Sequence, residues 1–191
     1  NLAEKYNISR EEQDKFAIES QGKAKKAQRA GTFKKEIVPV QLKKGVFDID
    51  EHPREVSMAA LSRLKPVFTP EGSVTAGNAS GINDGAAYMV VSSEEKAKEL
   101  GLDPVGEVVS YAVAGVEPSI MGIGPVLASE KALKRAGLSL DDMDILELNE
   151  AFSAQVLACT KKMGIEENDS RINPNGGAIA LGHPLGMSGA R

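Results

Sequence analysis

The sequence predicts an α/β protein, in which helices pack against the faces of a sheet. Three apolar runs of strand length follow residue 85, at 86–91, 105–116 and 144–149. Each run is followed by a stretch with helical features, and strands that alternate with helices indicate crossover connections in a layered fold. The 41% content of apolar residues in 191 residues is enough for a sizeable core.

The helices of this part are predicted from their start and stop signals. Ser92 and Glu95 open a short helix that Gly101 ends. The stretch PVLASEKALKRAG has a proline near its first turn and Gly137 after its last residue, which predicts a second helix. A third helix is expected from about Ala151 to Met163.

The first third of the chain has a different character, with helices and irregular connections but no buried strand. Ser9 and Glu12 form a capping-box signal for a helix of about 20 residues that ends at Gly31. EIVPVQL alternates like a strand, but Pro39 restricts it to a sheet edge or a loop. Residues 57–64 predict a short helix. We expect this segment to form a lid or cap.

Charge and cysteine usage limit the classes of function. Through Lys65 there are 14 Lys and Arg against 10 Asp and Glu, which gives +4, and the remainder has 9 against 17, which gives −8. No basic run with interleaved aromatics indicates a nucleic-acid surface, whereas the +4 segment suits either a phosphorylated ligand or a solvated helix face. Cys159 is the only cysteine, which excludes an intramolecular disulfide. No apolar run reaches the ~20 residues of a membrane span, and we expect a cytoplasmic protein.

Two spots combine polar side chains with the strand ends at which α/β proteins place their sites. Asn149 and Glu150 in LNEAF lie at the carboxyl end of the run 144–149 and the start of a helix, although an asparagine there could equally be a helix N-cap. His183 lies among glycines and a proline in GGAIALGHPLGMSGAR, a setting that favours a closely fitted loop presenting a potential acid or base. His52, in the charged and glycine-free DEHPRE, is interpreted as a surface residue.

Four motifs in register resemble the thiolase family of acyl-CoA acyltransferases: NASGINDGAA, MGIGPV, LNEAF and NPNGGAIALGHPLGMSGAR. The likeness covers essentially the whole chain and implies a thiolase-like layered α/β/α fold, incomplete, with a mainly helical loop domain. It further implies a CoA-covering loop segment at 1–82, the end of the amino-terminal core half at 83–104, and a truncated carboxyl-terminal half at 105–191. A ketoacyl synthase shares the fold, but LNEAF followed by a single GHP favours a thiolase.

The resemblance also implies roles for individual residues. His183 matches the histidine that activates the nucleophilic thiol and donates to the thioester oxygen, and Asn149 matches the asparagine that positions a water in the same oxyanion hole. Ser80 matches a contact of the pantetheine arm, and Leu64 an apolar contact of the adenine. Met121 and Phe152 match residues lining the acyl and thioester pocket, with ordinary core packing as the alternative for each. CoA is then a substrate, with no tightly bound cofactor and no metal.

Neither cysteine that the family uses is present, and Cys159, within a predicted helix, is interpreted as a small buried residue. We therefore expect an internal fragment, inactive alone, of a parent that transfers acyl groups through an acyl-cysteine. The family implies a homo-oligomer, dimer or tetramer, without membrane or nucleic-acid partners. MGIGPV and GGAIALGHPLG lean towards the degradative 3-ketoacyl-CoA thiolases of β-oxidation, and the biosynthetic acetoacetyl-CoA thiolases stay an alternative. So does a non-catalytic protein that binds acyl-CoA or lipid.

Overall fold

The computed structural model describes residues 1–166 and 168–191 of the chain. Within those ranges it contains one β-hairpin, three 3₁₀ turns and eight α-helices, and none of the helices is long and apolar enough to cross a membrane. The α-helices are α1 (Leu2–Lys5), α2 (Arg10–Ala30), α3 (Met58–Leu61), α4 (Glu94–Glu99), α5 (Gly124–Ala136), α6 (Ser153–Met163), α7 (Ala178–Leu181) and α8 (Leu185–Ser188). The strands are β1 (Val40–Leu42) and β2 (Gly45–Phe47), and the 3₁₀ turns are Thr32–Lys35, Pro118–Ile123 and Leu140–Asp142.

The longest helix, α2, confirms its sequence signals at both ends. Ser9 Oγ accepts the Glu12 N–H at 3.1 Å, and Glu12 Oε2 accepts the Ser9 N–H at 2.5 Å. The two bonds satisfy donors that the first helical turn would otherwise leave free. Gly31 ends the helix at φ +74°, a left-handed conformation that costs glycine little.

The apolar core lies where α2 packs against α6 and α7. Ala17 of α2, Val156 and Ala158 of α6 and Ile179 of α7 are all fully buried. The alanines let the helix backbones approach closely, and burying a side chain such as Ile179 contributes about 1.5–3 kcal/mol relative to leaving it exposed. The core therefore sits directly beneath the segment that carries His183.

The hairpin lies outside this core. β1 and β2 pair in antiparallel register, with Val40 opposite Phe47, and the side chains of both strands are exposed. Pro39 directly precedes β1, so its missing N–H does not interrupt the ladder. The predicted strand is thus confirmed only at 40–42, at an edge.

The three strands predicted at 86–91, 105–116 and 144–149 are wrong for the described residues. None of these segments belongs to a strand, and only Leu146 forms an isolated parallel bridge, with Ile172. A strand needs a neighbour that accepts and donates its backbone hydrogen bonds. The described residues supply none beside 86–91 and 105–116, and beside 144–149 they supply only the two backbone bonds that Leu146 makes with Arg171 and Asn173. Tyr88 and Val90 are consequently more than nine-tenths exposed.

The predicted helices agree better with the structure than the predicted strands, and differ from it mainly at their ends. α4 begins after Ser93 rather than Ser92, because Ser93 Oγ accepts the Lys96 N–H at 3.2 Å. α3 is shorter than the predicted 57–64, and α6 begins at Ser153 instead of Ala151. α5 ends at Gly137 with φ +70°, as the sequence predicted.

Candidate active site

The His183 imidazole, in the turn between α7 and α8, is held at both ring nitrogens. Nδ1 lies 2.6 Å from Ser188 Oγ, and Nε2 lies 3.2 Å from Asn149 Nδ2. The His183 N–H donates to Asn83 Oδ1 at 3.3 Å. The structure therefore brings together Asn149 and His183, which the sequence identified separately, across 34 positions of chain.

Some positions around this turn require glycine because neighbouring side chains lie too close for a Cβ atom. Gly182 has φ +89°, and a Cβ there would lie 2.5 Å from Asn83 Oδ1. A Cβ at Gly85 would lie 2.7 Å from Cγ of Pro184, next to the histidine. Gly186 and Gly189, by contrast, face open space. Only part of the glycine-rich stretch is therefore fixed by packing.

Asn149 is exposed and lies at the end of a segment that Asn173 holds in place. Asn173 Oδ1 accepts the Leu148 N–H at 2.7 Å, and its Nδ2 donates to the Leu148 carbonyl at 2.8 Å. The Asn173 amide thus replaces a strand neighbour at this point. The N-cap of α6 is Phe152, which excludes the alternative that Asn149 caps this helix.

Glu150, next to Asn149, is a buried carboxylate that joins three parts of the chain. It is 1% exposed and accepts from Ser20 Oγ of α2 at 2.6 Å, from Asn173 Nδ2 at 2.8 Å and from the Ile179 N–H of α7 at 3.1 Å. Burial raises the pKa of the Glu150 carboxyl, while the three donors favour its charged form. Glu150 therefore fixes α7, and with it the approach to His183, relative to Asn149.

Comparison with models of protein families identifies the family of the chain that carries Asn149 and His183. Residues 1–95 match the model of the thiolase N-terminal domain, and residues 102–191 match that of the thiolase C-terminal domain. The chain belongs to the thiolase family. An acetyl-CoA acetyltransferase of Syntrophomonas wolfei is 55% identical over 195 residues, covering 100% of this chain and 49% of that protein. A beta-ketoadipyl-CoA thiolase of Acinetobacter baylyi is 54% identical, with 100% and 49% covered.

Solved structures show the same fold, so the predicted thiolase-like α/β fold is confirmed. The acetyl-CoA acetyltransferase of Bacillus anthracis superposes with a TM-score of 0.95 at 50% identity, over 100% of this chain and 49% of that one. Human mitochondrial 3-ketoacyl-CoA thiolase in complex with CoA gives 0.92 at 49% identity, over 100% and 48%. The chain thus spans about half the length of the thiolases it matches.

Two of the residues that the thiolase resemblance implies lie beside Asn149. The Ser80 N–H donates to the Ala151 carbonyl at 3.0 Å, and Ala79 forms an antiparallel bridge with Phe152. Phe152 is half-buried and meets Phe68 edge to face, with ring centroids 5.8 Å apart. The segment NASG therefore runs along the start of α6, within reach of the same surface as Asn149.

Met121 and Leu64 both have exposed side chains. Met121 is 77% exposed in the turn Pro118–Ile123, which excludes the core-packing alternative for its side chain. Leu64 is 38% exposed and packs so closely on Gly77 that a Cβ there would be 2.7 Å from Leu64 Cδ1. The Arg10 guanidinium donates to the Leu64 carbonyl at 3.0 Å, which fixes Leu64 relative to α2.

His52 is a correction to the sequence interpretation. Its side chain is half-buried, and its Nδ1 lies 2.8 Å from the Ala180 carbonyl, two residues before Gly182. A Cβ at Gly81 would collide with the ring of His52. Charged sequence neighbours wrongly indicated a surface position, because they say nothing about contacts with a glycine-rich segment elsewhere in the chain.

Sequence reasoning also missed Ser188, Asn83 and Asn173, and it used Glu150 only as a neighbour of Asn149. These side chains act through hydrogen bonds to distant backbone or to a ring nitrogen, which leave no periodicity in the sequence. The one available signal was their place inside the quoted motifs GINDG, NPNGG and GHPLGMSG. No group of three or more His, Cys, Asp or Glu residues suited to a metal ion is found in 1–166 and 168–191.

Cys159 has the properties of a packed core residue. It is fully buried in α6, and its Sγ donates to the Gly122 carbonyl at 3.3 Å. Burial raises the pKa of the thiol to about 11, so that the thiol form dominates at neutral pH. The prediction that this cysteine is a small buried residue is confirmed.

We expect Cys159 to be unreactive in the folded chain, because only an accessible thiolate attacks a thiol reagent. With a disulfide reagent at neutral pH, no thiol should be titrated under native conditions, and one per chain should react after denaturation. A Cys159→Ala variant gives the blank. Native labelling at the rate of a small free thiol would contradict this prediction.

Replacing Glu150 by glutamine should destabilise the protein by about 1–3 kcal/mol, the cost of a buried donor without an acceptor. Whichever way the new amide is turned, its NH₂ faces a donor, either Asn173 Nδ2 or the Ile179 N–H. Chemical denaturation measures the change. The matched control is Glu147→Gln, an exposed carboxylate on the same segment, whose effect should stay within about 0.5 kcal/mol. Equal effects of both variants would mean that the buried network contributes nothing specific.

Proposed function

We propose that the protein carrying this chain transfers an acyl group between CoA thioesters through an acyl-cysteine intermediate, as a thiolase. The observation that carries the proposal is the meeting of Asn149 Nδ2 and His183 Nε2 at 3.2 Å on an accessible surface. Membership of the family, with the motifs of both domains in register, supports it.

Acyl transfer between thioesters requires hydrogen-bond donors and a proton acceptor, which Asn149 and His183 can supply. Thiolysis of a 3-ketoacyl-CoA, and the reverse Claisen condensation, pass through a thioester enolate whose negative charge concentrates on one oxygen. Hydrogen-bond donors fixed at that oxygen stabilise the transition state more than the ground state. Asn149 Nδ2 and His183 Nε2 lie 3.2 Å apart, so both could donate to one oxygen placed beside them once the imidazole is protonated. A histidine can also move the proton of a thiol.

CoA or acyl-CoA is the proposed substrate, and no tightly bound cofactor is required. Ser80 and Phe152, which lie along the start of α6, would meet the pantetheine arm and thioester, with Met121 lining the acyl side and Leu64 the adenine. A CoA complex of a 49%-identical thiolase supports a CoA site in this fold. The +4 charge of residues 1–65 suits the CoA phosphates.

Both the degradative and the biosynthetic direction of the reaction remain alternatives. The relatives include acetyl-CoA acetyltransferases and beta-ketoadipyl-CoA thiolases at nearly equal identity, so their names favour neither the degradative nor the biosynthetic assignment. The motifs MGIGPV and GGAIALGHPLG lean to the degradative type. Assembly as a homo-oligomer and a cytoplasmic location stay predictions.

We expect the 191-residue chain by itself not to catalyse thiolysis of acetoacetyl-CoA. An acyl-enzyme needs an accessible nucleophilic thiol, and the only cysteine of the chain is buried with its pKa raised to about 11. The loss of acetoacetyl-CoA absorbance in the presence of CoA is the measurement. Steady turnover above the buffer blank, kept in Cys159→Ala, would contradict this and favour a different mechanism.

In the protein that carries this chain, Asn149→Ala and His183→Asn should each lower kcat about 10²- to 10³-fold, the usual cost of losing one oxyanion donor. His183→Asn should have the larger effect, because that residue also handles the proton of the thiol. If both side chains act on one oxygen, the double variant should lose much less than the product of the single losses. Near-normal rates in a folded His183→Asn variant would contradict the catalytic role of this histidine, whereas no turnover by the unsubstituted protein would favour a non-catalytic acyl-CoA-binding protein.

A further inference from the structure

The hydrogen bonds around His183 run in one direction. The Pro184 carbonyl can only accept, so Ser188 Oγ donates its single proton there, at 3.1 Å. Ser188 Oγ must then accept from His183 Nδ1, 2.6 Å away. A neutral ring with its proton on Nδ1 has a lone pair on Nε2, and that lone pair accepts from Asn149 Nδ2 at 3.2 Å.

The opposite tautomer would break this order at two places. If Ser188 donated to Nδ1 instead, the Pro184 carbonyl would lose its bond to the hydroxyl. With the Asn149 amide in its present orientation, the proton on Nε2 would then point at the NH₂ group, donor against donor. The Pro184 carbonyl also accepts the Met187 and Ser188 N–H groups, at 2.9 and 3.0 Å, so the larger loss falls on the half-buried Ser188 hydroxyl. Only the Nδ1–H tautomer lets that hydroxyl both donate, to Pro184, and accept, from the ring.

We propose that Ser188 is a positioning residue that holds His183 as the Nδ1–H tautomer, so that Nε2 is a base in the resting protein. The proposal rests on the proposed acyl transfer for its consequence, but the tautomer itself can be measured without any activity. Ser188 does not donate to the reacting atoms in this arrangement. It acts through the far side of the imidazole ring.

The tautomer sets the order of the proton steps. A thiol at the site gives its proton to Nε2, and the S–H electron pair stays on sulfur, which leaves a thiolate and an imidazolium. The Nε2–H of that imidazolium can then donate to the thioester or enolate oxygen. The Ser188 hydroxyl accepts from Nδ1–H before and after the transfer, so it need not reorient. One histidine thereby serves first as a base and afterwards as a donor.

The direct test is the tautomeric state of His183 in ¹⁵N-labelled protein, by correlation of ring nitrogens with ring carbon-bound protons at a pH where the ring is neutral. The His183 signals are assigned by their loss in His183→Asn. We expect the protonated nitrogen to be Nδ1 in the unsubstituted protein, and a mixture with substantial Nε2–H in Ser188→Ala. Nε2–H in the unsubstituted protein would overturn the proposal.

Kinetics of the same variants test the consequence. Ser188→Ala should lower kcat about 10- to 100-fold, because the variant keeps the histidine and loses only part of the rate gain from general acid–base catalysis. KM should change little, because Ser188 does not reach the substrate. Ser188→Thr keeps the hydroxyl and should restore both kcat and the Nδ1–H signal. Ser92→Ala is the matched control, since its exposed hydroxyl donates to the neighbouring Ser93 carbonyl.

The outcomes separate this proposal from the proposed function. An inactive protein with Nδ1–H in His183 would contradict acyl transfer while supporting the role of Ser188. An active protein in which Ser188→Ala changes neither the tautomer nor kcat would support acyl transfer and overturn the role of Ser188. If circular dichroism shows that Ser188→Ala does not fold, the ¹⁵N spectrum of Ser188→Thr is the test. Ser188→Thr keeps the hydroxyl, so a His183 ring without a proton on Nδ1 in that variant would also contradict the proposal.

Discussion

The buried Glu150 carboxylate is the interaction on which the arrangement of the site depends. Its three donors come from α2, from the loop at Asn173 and from the first turn of α7, so one side chain fixes three segments that are far apart in sequence. A carboxylate suits this place because it offers acceptors only, and each approaching group is a donor. Asn149 is its direct neighbour in the chain, and α7 leads within a few residues to His183. The spacing between the two donors is therefore set by a group that need not touch a substrate.

Close packing around this network accounts for the glycines more directly than the need for an open cavity. A Cβ on Gly177 would collide with the Glu150 carboxylate, and one on Gly176, at φ +79°, would lie 2.6 Å from the Ser20 carbonyl. Gly182 meets the Asn83 amide in the same way. These positions let α2, the Asn83 segment and the histidine turn approach within hydrogen-bonding distance. The glycines at 186 and 189 lack such neighbours, so their presence has a different cause.

The sequence predicts features that depend on residues close together in the chain better than features that depend on residues far apart. Helix caps depend on residues three or four positions apart, and the ends of α2 and α5 were accordingly predicted correctly. A strand depends on a neighbour elsewhere, and for 86–91 and 105–116 the described residues supply none, so apolar patterning alone gave the wrong result. Asn149 and His183 were found through motifs, and their contact is visible only in the structure. Asn173 and the half-buried His52 depend on hydrogen bonds to residues far away in the sequence, and Ser188 on a bond to a ring nitrogen, and no pattern in the sequence encodes these contacts.

The positions of protons at this site follow from groups that have only one possible role. The Pro184 carbonyl can only accept and the Asn149 NH₂ can only donate, and the two lie at opposite ends of the chain Pro184–Ser188–His183–Asn149. The hydroxyl and the imidazole between them can each do both, and with the Asn149 amide in this orientation a single direction satisfies every bond of the series. The same reasoning applies at Glu150, where donors on both oxygens exclude an amide. Fixed donors and acceptors outside the reacting atoms thus decide which nitrogen of His183 is free to take a proton.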